Sequence, residues 1–173
     1  MEDIEKILVD NLKDTLKSAQ TYLLTGMGAA LFLLILAIQG RFNQPNEDTV
    51  GVPFVGLDAP TSAAAFIALG LHLLSGCIVL VLNGNCRRIE ETLRKSKAEG
   101  LLDAVLTYPS LIRTSKLIGV GAALITFLLG AGALFASWYP RGRLSSSLFS
   151  AVLLSSPYLI LAWLLGQERR RSE

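Results

Sequence analysis

Apolar positions along this chain follow two patterns, one periodic and one continuous. The periodic one opens the chain: Ile4, Leu8, Leu12 and Leu16 recur every four residues with Ile7 and Ala19 beside them. Glu5, Lys6, Asp10, Lys13, Asp14 and Lys17 take the other face. This is the signature of an amphipathic helix over residues 1–20, a candidate gating or assembly helix. Three placements fit it: running straight into the next segment, lying along a membrane surface, or packing on a neighbouring subunit. Its nearly balanced charge argues against a purely electrostatic attachment to anionic lipid, which favours a Lys/Arg-rich polar face.

The continuous pattern comes next. Residues 21–39, 61–84, 117–139 and 147–166 are runs without a single Asp, Glu, Lys or Arg. A bilayer's hydrocarbon core is about 30 Å thick, so a spanning helix needs roughly 20 mostly apolar residues. The four runs therefore predict an all-α integral membrane four-helix bundle, a single membrane domain over residues 1–173. The opening twenty residues are acidic and helical rather than basic and short, so nothing marks the first span as a removable signal peptide.

The connections differ from one another. Residues 40–60 carry Pro45, Asn46, Gly51, Pro53, Gly56 and Pro60, a density of breakers that excludes a helix, while Val50 to Leu57 has the apolar character of a short extended segment in a compact cap. After the second run, Asn83-Gly84-Asn85 interrupts the apolar pattern. Arg87 to Glu99 then reads as a charged helix, supported by Glu90 with Arg94 and Glu91 with Lys95 at the i, i+4 spacing. Gly100 ends it, and Leu101, Leu102, Val105 and Leu106 form a second short amphipathic piece before Pro109. A cytoplasmic helical hairpin over 85–116 follows. Residues 140–146 make a short turn, and 167–173 a basic tail. Pro157, in mid-span, predicts a kink in the fourth helix.

Charge orients the bundle. Lys and Arg favour the cytoplasmic side of short membrane loops, and acidic residues weigh little. The second connection holds Arg87, Arg88, Arg94, Lys95, Lys97, Arg113 and Lys116; the tail adds Arg169, Arg170 and Arg171, and the first helix Lys6, Lys13 and Lys17. Loop one has Arg41 beside Glu47, Asp48 and Asp58, and the short third connection has Arg141 and Arg143. The balance predicts both ends in the cytoplasm and a multi-pass protein of the inner (plasma) membrane.

Candidate chemistry is sparse. Ion-coupled carriers and intramembrane enzymes usually keep ionisable groups inside the bilayer, and here His72 is the one candidate. Cys77 and Cys86 lie nine residues apart, about 13 Å along a helix, and cannot bridge within it. There is no metal motif, no phosphate loop and no cofactor motif. Ser145-Ser146-Ser147 opens a helix, where serine is a common cap. The sequence thus predicts a protein that is not an enzyme and holds neither cofactor nor metal.

His72 belongs to a stripe of small and polar residues, Ala65, Ala68, His72, Ser75, Gly76, Val79 and Asn83. The bland reading is a tight helix interface in which His72 donates to a neighbouring carbonyl. The sharper one is a pore-lining face in a homo-oligomer, with tetramer as the working guess. Gly26, Gly28, Ala29 and Ala30 in the first span, and Gly119, Gly121, Ala122 and Ala123 in the third, imply dense packing. Arg87, Arg88, Arg94, Lys95 and Lys97 form a candidate surface for a soluble cytoplasmic partner, or more weakly for a nucleotide or oligonucleotide; the bland reading is a solvated face obeying the charge rule.

Three functions follow: an oligomeric channel-like or membrane-disrupting effector gated through its cytoplasmic segments, a non-conducting scaffold or sensor that anchors a soluble partner, and a small-solute transporter. The Ile4 to Ala19 helix, the four short spans and the external Val52-Pro53-Phe54-Val55-Gly56-Leu57 segment give the chain an architecture that resembles, in outline, the small multi-pass membrane components of bacterial antiphage systems of the Hailong and Kiwa type. That resemblance implies a gated effector held shut by a cytoplasmic partner, and it assigns no individual residue.

Overall fold

The computed structural model describes residues 2–39, 49–52, 56–95, 116–138 and 144–172. Four helices account for nearly all of them: α1 (Glu2–Ile38), α2 (Thr61–Lys95), α3 (Lys116–Trp138) and α4 (Leu144–Ser172). Each contains a stretch long and apolar enough to cross a membrane. At 1.5 Å per residue, the 37 residues of α1 and 35 of α2 run about 55 and 52 Å, well beyond a ~30 Å hydrocarbon core.

The helices run alternately up and down. α1 packs on α2 and α3, and α4 on α3 and α2, so that α1/α4 and α2/α3 lie on the diagonals. One pole of the bundle holds both termini; the other holds a small β-hairpin. That hairpin pairs β1 (Thr49–Val52) with β2 (Leu57–Pro60) antiparallel, from Thr49 opposite Pro60 to Val52 opposite Leu57. Gly56 closes the connection with a φ of 67°, a conformation that costs glycine nothing and most residues a clash. Val52 is buried, and both strands pack on α2.

Three apolar clusters follow one another along the axis. Near the hairpin pole, Leu33 and Leu36 of α1 meet Ala65 and Ala68 of α2 and Ala133 of α3. In the middle, Ala19 and Leu23 meet Val79, Ala123, Tyr158, Leu161 and Leu165. Near the terminal pole, Val9, Leu12 and Leu16 pack on Cys86 and Leu93. Among the described residues this last cluster belongs to α1 and α2, whose extensions form a stalk that α4 meets at its base, where Arg87 donates to the Leu164 carbonyl. Of the three placements open to the amphipathic segment, the structure has the first: it is continuous with the span in α1, and its Leu8, Val9, Leu12 and Leu16 lie on α2, whereas Ile7 is exposed.

The outer surface inverts the rule for soluble proteins. Phe66, Leu128 and Phe149 are 73, 64 and 68% exposed, and such residues surround the bundle. Two hydroxyls in the spans are satisfied on their own helices. Thr126 donates to the Ala122 carbonyl at 2.8 Å and Ser137 to that of Ala133 at 2.7 Å, so they demand neither water nor a partner.

Asn83-Gly84-Asn85 interrupts the apolar run but not the helix, and α2 continues to Lys95. A glycine costs a helix about 1 kcal/mol; here the buried residues on either side, Val79 and Cys86, hold the backbone against its neighbours. α4 likewise passes through Pro157 as one element. The hairpin expected over 85–116 is described only as far as Lys95, and the Arg141/Arg143 turn lies outside the described residues.

Candidate functional site at His72

His72 is fully buried at the centre of the bundle, and all four helices contribute to its surroundings. Its Nδ1 lies 3.1 Å from the carbonyl oxygen of Gly26 on α1. A carbonyl only accepts, so in the neutral ring Nδ1 carries the hydrogen and donates it. Nε2 then presents its lone pair to the Ser155 hydroxyl of α4 at 3.4 Å, a long contact that Ser155 donates. The Tyr158 ring rests against the imidazole, centroids 4.7 Å apart and planes tilted by 31°, and its hydroxyl donates to the His72 carbonyl at 2.7 Å.

Glycines make this approach feasible. A Cβ on Gly130 of α3 would collide with the imidazole, and one on Gly26 with the Tyr158 hydroxyl. A Cβ on Gly76 would stand 2.9 Å from Pro157 and 3.0 Å from the Tyr158 ring. Small residues thus let polar groups meet backbone across helices, the arrangement that stabilises helix contacts in lipid.

The Ser155 hydroxyl, the imidazole and a carbonyl behind it have the composition of an activated nucleophile. Both side chains are fully buried, however, so no substrate reaches them in this conformation. The arrangement ties α1, α2 and α4 together through one ring.

Every member of the predicted stripe is buried within its own bundle. Ala65 and Ala68 pack on α1 and α3, Ser75 lies beside Gly26, and Gly76 meets α4. Asn83 is 2% exposed, and its amide nitrogen and oxygen have no hydrogen-bond partner among the described residues. The predicted basic surface separates into distinct environments. Arg87 is half-buried and donates from Nη2 to the Leu164 carbonyl of α4 at 2.9 Å, whereas Arg88 and Arg94 are exposed. Lys95 ends α2, and Lys97 lies outside the described residues. In the predicted gating helix, Leu12 and Leu16 are buried, Leu8 is half-buried, and Ile4 falls in the first turn of α1. Among the described residues no group of three or more His, Cys, Asp or Glu side chains has a metal-binding arrangement.

Sequence reasoning did not single out Gly130, Ser155 or Tyr158 as partners of His72. The available signal was Ser155-Ser156-Pro157-Tyr158, a polar break inside an aliphatic span.

By length and composition, the helices define a four-helix bundle of the multi-pass membrane class. The comparisons add no family to that class: no family model matches the chain, no curated protein matches it, and no solved structure does.

Proposed function

We propose that the protein is a membrane anchor with both ends in the cytoplasm, whose non-conducting bundle holds the α1–α2 stalk at the membrane surface as a scaffold or sensor for a soluble partner. The observation that carries this reading is the stalk's own core. Val9, Leu12, Leu16, Cys86 and Leu93 keep α1 and α2 packed together beyond the spans, where an anchor alone would need no structure. The orientation follows from the Lys and Arg of the stalk and tail. In this reading the chain is not an enzyme, and His72 and Ser155 serve cohesion.

The test is a photoreactive cross-linker at exposed stalk positions, Ile7 and Arg94, against a control at Leu128 within the span, in full-length protein in its native membrane. A discrete stoichiometric adduct from the stalk, abolished by Ile7→Glu, is expected. Lipid adducts alone at all three positions overturn the reading.

A second reading is the oligomeric channel-like or membrane-disrupting effector, with a role in bacterial antiphage defence and a place in the inner membrane. It now needs a conducting surface other than the His72 stripe. What favours it is α3, where Gly121 and Gly132 have open space beyond their Cα atoms and would admit a close helix from a second copy. Reconstituted liposomes that stay tight to small ions, with and without cytoplasmic extract, count against it.

A further inference from the structure

The crease between α1 and α2 opens, just past their apolar runs, into a cleft of about 520 Å³. Asn11, Asp14, Thr15 and Ser18 of α1 and Asn85 and Arg88 of α2 line it. The volume falls within the range of small-molecule sites, roughly 300–1,000 Å³. Much of its wall is apolar, from Leu82, Ile89 and the aliphatic parts of the other side chains, and it carries one cation and one anion.

Its level is informative. Ser18 follows Lys17, the last charge before the apolar run of α1, and the cleft's upper wall is Leu82, the last apolar residue of the α2 run. Asp14 lies four residues beyond Ser18, about 6 Å along the helix, and Arg88 six beyond Leu82, about 9 Å. A bilayer of about 40–45 Å with a ~30 Å hydrocarbon core leaves a headgroup layer of about 5–8 Å on each side. Both charged residues fall at that layer or at its water-facing edge, and a long Arg side chain can reach back toward it.

The chemistry narrows the occupant. A guanidinium pairs with phosphate through two parallel N–H donors. A carboxylate across the cleft accepts from a primary ammonium; it repels a purely anionic headgroup and finds no N–H on a quaternary one. The Ser18 hydroxyl and the amides of Asn11 and Asn85 suit ester and phosphate oxygens, whereas Thr15 donates to the Asn11 carbonyl at 2.6 Å. Above the cleft, Leu82, Ile78 and Leu74 recur every four residues on α2, and Tyr22 follows four residues after Ser18 on α1, an apolar rail for acyl chains.

We propose that this cleft binds a phosphatidylethanolamine of the adjoining leaflet, with Arg88 holding the phosphate and Asp14 the primary ammonium. The proposal rests on the membrane placement argued above.

Native mass spectrometry of the full-length protein, released from micelles with chain-matched phosphatidylethanolamine, phosphatidylcholine or phosphatidylglycerol, tests it. Ethanolamine lipid is expected to be retained about tenfold over choline lipid, the effect of one hydrogen bond to a charged group. Asp14→Asn brings that ratio near one, and Arg88→Gln lowers retention of all three lipids. Arg94→Gln, exposed on the same helix away from the cleft, matches the unmodified protein. Equal retention of the three lipids by the unmodified protein, a ratio unmoved by Asp14→Asn, loss with Arg94→Gln equal to that with Arg88→Gln, or displacement of lipid by millimolar inorganic phosphate each overturns it. Alkaline carbonate washing of native membranes separates the two claims. Release of the protein overturns the membrane placement, whereas retention without an ethanolamine preference overturns the lipid site alone.

Discussion

Tyr158 and His72 meet twice: the phenol donates to the His72 carbonyl at 2.7 Å, and the phenol ring lies against the His72 imidazole. One side chain of α4 therefore reads both the backbone and the side chain of a single residue on α2. Tyr158→Phe keeps the ring and removes the donor. Interhelical hydrogen bonds in lipid average about 0.6 kcal/mol and reach about 1.7. A loss of about 1 kcal/mol is expected, measured as a lower midpoint of thermal unfolding in detergent, with helix content unchanged.

The imidazole itself can be dissected. Asn at position 72 places an amide donor near Nδ1, so His72→Asn retains the bond to the Gly26 carbonyl and loses the ring stack and the Ser155 contact. His72→Ala removes all of them and leaves a cavity, at a cost of about 2–5 kcal/mol by analogy with other large-to-small core changes. The expected order of thermal stability is unmodified protein, Asn, then Ala. Equal stability of the two variants contradicts the donor role of Nδ1.

Two glycines of α3, two residues apart, should respond in opposite ways. Gly130→Ala drives a methyl into the imidazole and into Ser155, and overpacking of this kind costs about 1–3 kcal/mol. Gly132→Ala meets nothing within 4 Å, so its effect should stay within about 0.5 kcal/mol, as at ordinary surface sites. Paired unfolding curves in one detergent check this. A large loss with Gly132→Ala instead points to a second copy packed on that face.

The spans were legible in the sequence because lipid leaves no latitude: an uncharged run of about 20 residues has few other uses. The polar stripe from Ala65 to Asn83 was legible for the same reason. What the stripe faces was not legible, since His72 finds its partners 46, 83 and 86 positions away, and periodicity carries no information about pairing at such range. Local propensity at Asn83-Gly84-Asn85 is weak, and the packing of Val79 and Cys86 on either side of it is tertiary, so how firmly the helix is held there was not legible. The stalk was half legible. The apolar face of Ile4 to Leu16 announced a partner, and only the structure identifies α2 as that partner.

Asn83 is a polar group whose cost is visible. Its amide is buried without a hydrogen-bond partner among the described residues, a condition that costs about 1–3 kcal/mol. Asn83→Leu keeps the branching and heavy-atom count of the side chain and removes its polar atoms, and it is expected to raise the unfolding midpoint. Such a residue is tolerated where function uses it, so a stabilised variant that has also lost its stalk adduct would tie Asn83 to partner docking. An unchanged or lowered midpoint means that the amide is satisfied in the membrane.

The stalk and the bundle should be separable in stability. Leu12 and Leu93 are buried against each other's helices in a cluster whose described members all lie on α1 and α2. Leu12→Ala removes part of that core without touching Leu23, Val79 or Tyr158 in the middle of the bundle. The stalk pair, with far fewer apolar contacts than four packed spans, is the element expected to open first. Limited trypsin digestion should therefore cut at Lys13 and Lys17 sooner in the variant, and amide exchange over residues 6–17 and 86–94 should quicken. Residues 61–80 should remain as protected as in the unmodified protein. If exchange instead quickens equally along the whole of α2, the two regions fold as one unit and the stalk is not an independent lever on the bundle.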